Sequence, residues 1–282
     1  MAKASSDKPA LLVFVADFHT NSVAGLNPPT LRRELGSRHH VGKVGRELWR
    51  RWLEFWQLIE AKKVERDATV YTFAIGDLGD IDQRGQLITD DEVMVLDAMA
   101  EVAEPLAKVS DYIFIDRGTE SHVGGNGRLE EWLARDLTNA VHCSEEVASW
   151  WVVDARIGGL KIMATHHPPT SSGVPWGLDP AVARAANHVF NRYADADLLR
   201  EKPDICVWAH AHTRGAQGMG QGNTWAIFLP PWQLTTGYGH RLGRGFGPRK
   251  VGGLWMLVKD GKVLDWDFER WRVKERSTWS EP

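Results

Sequence analysis

The chain of 282 residues has only two cysteines, Cys143 and Cys206. Two thiols cannot build a disulfide framework, which excludes a small bridge-held extracellular scaffold. Cys206 lies in the apolar run ICVWA, where a thiol acts as a small core residue, and such sparing use of cysteine fits a reducing cytoplasm. Long hydrophobic runs are missing as well. The first apolar stretch, LLVFVA, is cut off by Asp17, too soon for a membrane span or an ordinary signal-peptide core, so neither a membrane role nor export is expected. An excess of positive charge is also absent. With 34 Lys and Arg against 37 Asp and Glu, the formal net charge is -3, and no overall field draws the chain to nucleic acid or an anionic membrane. Repeats, low-complexity tracts and long linkers do not divide it, and one domain over 1 to 282 is the economical reading.

What is present is an ordinary globular composition, 43% hydrophobic and 25% charged, with 14 Trp. Many of these Trp fall in helical or strand patterns such as ELWRRWLEFWQLIE and SWWVVDARI, which assigns them to packing before ligand stacking. Strands are expected at 11 to 17, 69 to 77 and 111 to 116, with helices at 45 to 65, 90 to 108 and 127 to 140. Further on, SWWVVDARI and LKIMAT flank a Gly-Gly turn, a helix covers 180 to 200, and DICVWA and TWAIFL read as strands. GGLWMLVK and KVLDWDFERW close the chain as a hairpin about Asp260-Gly261. Alternating strand and helix implies parallel pairing, the hairpins add antiparallel strands, and the sum is a mixed, layered α/β fold.

The apolar strands end in residues able to bind metal. Asp17 and His19 follow the first, Asp77 and Asp80 the second, and DRGTESH the third, while THHPP and HAH follow two later ones. Ligands gather at the carboxyl ends of strands in open α/β sheets, so these clusters should share one rim. His210 and His212, at alternate positions at the end of a strand, are expected to project together from that strand end. Carboxylate and imidazole without thiolate suit Mn, Fe, Zn or Mg-like ions, and a carboxylate-bridged pair of them is a common device for phosphate-ester hydrolysis.

DFH at 17 to 19, GDLGD at 76 to 80, RGTESH at 117 to 122, THHPP at 165 to 169 and AHAH at 209 to 212 together resemble the ordered motif series of the calcineurin-like metallophosphoesterases, with GTESH and NSVAGLNPP similar to its phage and prophage branch. The resemblance implies an α-β-β-α sandwich with mixed sheets and a metal site at the carboxyl ends of the strands. It implies Asp17, His19 and His212 on one divalent ion, Asp77 bridging, and His166 with His210 on the other. The ions would be Mn²⁺ first, with Fe, Zn or Ni as alternatives. The family's Asn ligand is missing, and Glu120 is the candidate for its place. His122 is the candidate general acid, and Asp80, which would orient an imidazole, completes the catalytic set. The activity implied is hydrolysis of a phosphodiester, of nucleotide or nucleic-acid type, by a metal-bridging hydroxide. THHPP leans that way through its likeness to cyclic-nucleotide phosphodiesterases.

A phosphomonoesterase, a protein phosphatase and a non-catalytic metal-binding module of the same fold stand as alternatives. A metallo-β-lactamase-type hydrolase would need an H-x-H-x-D-H run, which the sequence lacks. Ala209 stands where the family usually has Gly, harmless only if the backbone there avoids positive φ. His39 and His40 read as part of a surface loop and His167 as structural, or supporting a ligand from behind. The segment from about 20 to 66 is expected to form a loop and helix beside the site. His240 and the arginines of GYGHRLGRGFGPRK, from 237 to 250, read as a solvated Gly-rich loop able to meet a phosphate.

Overall fold

The structure is a computed structural model describing residues 8–32, 36–81, 86–169, 178–212, 215–219, 223–236 and 250–273. In chain order its elements begin with β1 (Ala10–Val15), β2 (Thr30–Arg32), β3 (Arg38–His40), α1 (Lys43–Glu65), β4 (Thr69–Ile75) and α2 (Glu92–Val109). The middle comprises β5 (Tyr112–Asp116), α3 (Glu120–Val123), α4 (Arg128–Asp136), β6 (Val153–Ile157), β7 (Leu160–Thr165) and α5 (Leu178–Asp195). The remaining strands are β8 (Ile205–Trp208), β9 (Ala216–Met219), β10 (Trp225–Phe228), β11 (Lys250–Lys259) and β12 (Lys262–Arg272).

One five-stranded sheet runs β12-β11-β1-β4-β5 and the other β6-β7-β8-β10-β9, with β2 and β3 forming a separate ribbon. β1, β4 and β5 are parallel, whereas β11 pairs antiparallel with both β1 and β12. In the second sheet β7, β8 and β10 are parallel, and β6 and β9 add antiparallel edges. The expected mixed pairing is therefore present in both sheets.

The period of two along β1 sets the layers. Leu11, Val13 and Val15 face a core shared with α1, α2 and α4, while Ala10, Leu12, Phe14 and Ala16 face the second sheet. On that sheet's far side Cys206, Trp208, Ala226 and Phe228 pack with Val182, Ala185, Ala186 and Val189 of α5. Three apolar layers between four layers of elements make an α-β-β-α sandwich. α1 belongs to its outer layer. Leu48, Trp52, Phe55, Trp56 and Ile59, spaced by three and four, are all buried on one face, so its Trp-rich stripe meets the core.

His39 and His40 are not in a loop but in β3, where the Thr30 hydroxyl and His40 Nδ1 lie 3.1 Å apart. Strands of three residues carry too little alternation to announce themselves. SWWVVDARI forms a strand only from Val153, Trp150 contributing an isolated bridge to Asp116. His240, Arg241, Arg244 and Arg249 lie outside the described residues. No described helix is long and apolar enough to cross a membrane.

Candidate metal centre

The loops that leave β1, β4, β7 and β8 meet where the two sheets adjoin. Asp17, His19, Asp77, His210 and His212 all have positive φ, at 55°, 44°, 51°, 61° and 47°. Non-glycine residues avoid that region, and holding several there costs about 1–3 kcal/mol each, which surrounding contacts must offset. The contacts are visible. Asp17 N–H and His19 N–H donate to the Gly76 and Asp77 carbonyls at 3.1 and 2.8 Å, so the first two motif loops hold each other. Phe18, between the two donors, turns into the core against Trp52 with ring centroids 5.0 Å apart. Gly118 lets the third loop close in, since a Cβ there would lie 2.2 Å from Asp77 N. Ala209 is not among the positive-φ residues, so the absence of Gly there costs nothing.

The donors form two adjoining groups. In the first, Asp17 Oδ1 and His19 Nε2 lie 3.2 and 3.3 Å from His212 Nε2, and His19 Nε2 lies 3.7 Å from Asp77 Oδ2. In the second, His166 Nε2 lies 3.1 Å from the same Asp77 oxygen and 3.2 Å from His210 Nδ1. Asp77 Oδ1 is occupied by the Thr119 N–H at 2.6 Å, which leaves Oδ2 shared between the groups. β8 ends at Trp208, so His210 and His212 do not alternate as strand residues. Their left-handed backbones send one to each group.

Asp80 reaches two imidazoles, with Oδ1 3.2 Å from His122 Nδ1 and Oδ2 3.4 Å from His19 Nδ1. His122 is partly exposed on α3, and its carbonyl accepts the Ile81 N–H at 2.8 Å. Its ring meets that of His19 edge-on at 4.6 Å.

No family model and no curated protein matches the chain. Among solved structures, Vps29 from Chaetomium thermophilum aligns over 95% of this chain and 98% of its own at 12% identity and a TM-score of 0.43. An archaeal phosphodiesterase aligns over 92% of this chain and 99% of its own, at 10% identity and a TM-score of 0.41. A 5'-nucleotidase precursor from Thermus thermophilus aligns over 94% of this chain and 54% of its own, at 11% and 0.42. These likenesses are distant and assign no activity to the chain.

Whether the residues suit a cation follows from their own chemistry. Asp17 is fully buried, and beyond the His212 ring 3.2 Å from Oδ1 neither carboxylate oxygen has a well-formed hydrogen bond, a costly state without positive charge beside it. His166 Nδ1 lies 3.0 Å from the Ile75 carbonyl, which can only accept, so the proton sits on Nδ1 and the Nε2 lone pair faces the Asp77 carboxylate. Without metal only a second proton can fill that gap. Burial opposes the charge on His166, yet Asp77 drives its pKa up to about 10. Burial likewise opposes charge on Asp77, but His166 holds its carboxyl well below the ordinary range. Burial first and His166 second press His210 down to about 4 and lower His167, leaving these two rings as neutral ligands. Burial also opposes ionisation of Asp17 and Asp80, which His212 and His122 respectively outweigh. The residues fit divalent cations.

The structure therefore brings Asp17, His19, Asp77, His166, His210 and His212 together, with His122 and Asp80 beside them. It does not bring Glu120 there. Glu120 opens α3 exposed to solvent, outside every donor group found among the described residues. Thr119, one residue earlier, is in its place, with Oγ1 3.3 Å from Asp77 Oδ2, 3.4 Å from His166 Nε2 and 3.3 Å from His210 Nδ1. His167 also joins His166 and His210 in one cluster. Beneath the site lie two buried acids assigned no role from the sequence, Asp116 at the head of the DRGTESH run and Glu130, which no motif singles out. Burial raises Asp116 well above its ordinary value, and both its oxygens lack partners. Glu130 accepts the Leu78 N–H at 3.1 Å.

Proposed function

We propose that this chain is a two-cation phosphoesterase of the calcineurin-like kind, acting on a phosphodiester of nucleotide or nucleic-acid type. The observation that carries the proposal is the shared Asp77 oxygen, 3.1 Å from His166 Nε2 on one side and 3.7 Å from His19 Nε2 on the other. Asp17, His19 and His212 would hold one cation and His166 with His210 the other. When bound, such a pair supplies an activated water and neutralises charge on the phosphoryl oxygens.

The remaining steps belong to the chain. Asp80 engages His122 through Nδ1, so Nε2 is the nitrogen able to hand a proton to the departing alkoxide. The same carboxylate faces Nδ1 of His19 and thereby aims Nε2 at the first cation position. THHPP at 165 to 169 supports a diester over a monoester substrate through its resemblance to cyclic-nucleotide phosphodiesterases. Metal analysis of protein purified without chelator, followed by assays with bis-p-nitrophenyl phosphate, p-nitrophenyl phosphate and cyclic nucleotides, tests the reading. We expect two equivalents of divalent metal and faster diester turnover. His122→Ala should cost about 10²–10⁴-fold with a poor leaving group and much less with p-nitrophenolate. An equal loss with both leaving groups refutes the proton-donor role.

A further inference from the structure

We infer that the second cation position of this chain is a three-imidazole site, in which His167 supplies the donor left open by the missing amide ligand and the Thr119 hydroxyl completes the cage. The inference rests on the two-cation reading above. Nitrogen and oxygen donors about 2.0–2.1 Å from a shared cation stand about 2.9–3.6 Å apart in four- and five-coordinate arrays. His166 Nε2 and His210 Nδ1 are 3.2 Å apart. Thr119 Oγ1 stands 3.4 Å from the first, 3.3 Å from the second and 3.3 Å from His167 Nε2. With Asp77 Oδ2 also at 3.3 Å, four polar atoms surround one hydroxyl. A hydroxyl donates one hydrogen bond and accepts at most two, so it cannot bond all four neighbours at once, and the spacing also suits donors gathered around a common ion. The ligating nitrogens of His166, His167 and His210 lie within 4.8 Å of one another. The rings of His166 and His210 stand 4.8 and 4.7 Å from that of His167.

The two positions then differ in kind. The first draws on two carboxylates, Asp17 and Asp77, with two imidazoles, His19 and His212. The second draws on three imidazoles, a hydroxyl and the shared Asp77 oxygen. Carboxylate-rich sets suit Mg²⁺ and Mn²⁺, whereas imidazole-rich sets suit Zn²⁺ and Ni²⁺. The second position accordingly favours a nitrogen-preferring ion more strongly than the first does.

Calorimetric titration of chelator-stripped protein with Zn²⁺ and with Mn²⁺ tests this without any assay of turnover. Wild type should take two equivalents of Zn²⁺. His167→Ala should weaken one equivalent by at least about 10-fold and leave the other unchanged. His167→Gln, which offers an amide oxygen, should keep that equivalent but lower its preference for Zn²⁺ over Mn²⁺. Because His167 is exposed, both variants should keep the wild-type circular dichroism spectrum. Two wild-type-strength Zn²⁺ equivalents in His167→Ala, or an unchanged metal preference in His167→Gln, overturn the inference while the two-cation reading stands. Fewer than two equivalents in wild type overturn both.

Discussion

Glu130 makes the stability of the fold depend on pH. It is fully buried in α4, with Oε1 bound to the Leu78 N–H and Oε2 without a partner. Burial first and the Asp77 carboxylate second push its pKa from 4.5 up to about 8. A carboxyl with a higher folded than unfolded value holds its proton more tightly in the folded state. Its contribution is therefore fully present below about pH 4.5 and is lost as pH rises towards 8. At about 1.36 kcal/mol per unit, the interval from 4.5 to about 8 corresponds to a loss of about 5 kcal/mol, of which about 3 kcal/mol has gone by pH 7. Glu130→Gln keeps an oxygen for Leu78 and stays neutral at every pH. In urea unfolding of metal-free protein, the variant should match wild type near pH 5 and exceed it by about 3–5 kcal/mol at pH 8. Adding divalent metal should shrink the difference, because cations beside Asp77 cancel the charge that raises Glu130. A difference between variant and wild type that does not change from pH 5 to pH 8 refutes the reasoning.

Chelation should loosen the fold itself. With free metal at about 100 times Kd, each bound ion adds about 2.7 kcal/mol, so EDTA should lower the melting midpoint by several degrees, and an unmoved midpoint would count against cations bridging these loops. Asp80→Asn removes the charge that faces both His122 and His19, and should lower turnover and metal affinity by about 10–100-fold each, as measured by steady-state kinetics and competition with a metal indicator. Wild-type values for both would show that Asp80 positions neither ring.

The layers were legible because β1 and α1 obey simple periods. Alternation along LLVFVA divides its side chains between two cores, and the three-and-four spacing of Leu48, Trp52, Phe55 and Ile59 gives α1 one buried face. The site was legible where donors follow strands, since β1, β4, β7 and β8 all deliver theirs to one region. The choice between Thr119 and Glu120 was not, because a motif aligned by letters ignores where a helix begins. Thr119 is the last extended residue before α3, at φ -75° and ψ 127°, and reaches the donors, whereas Glu120 starts the helical turn and faces solvent.

The same limit explains the two histidines after β8. Read as strand, His210 and His212 would share one side, but both carry positive φ, as do Asp17, His19 and Asp77. Of the eleven non-glycine residues with positive φ among those described, these five belong to the six candidate donors, His166 being the other. Asp, Asn and His enter that region more readily than other non-glycine residues, and all eleven are of these types, but residue type alone does not say which of the many Asp and His positions adopt it. The strain persists because partners distant in the chain impose it: Gly76 and Asp77 carbonyls on the first loop, the Thr119 N–H on Asp77, and the His166 carbonyl on Ala209 N–H at 3.1 Å. Local pattern therefore names most of the candidate donors, while long-range hydrogen bonds set which of the two groups each one joins.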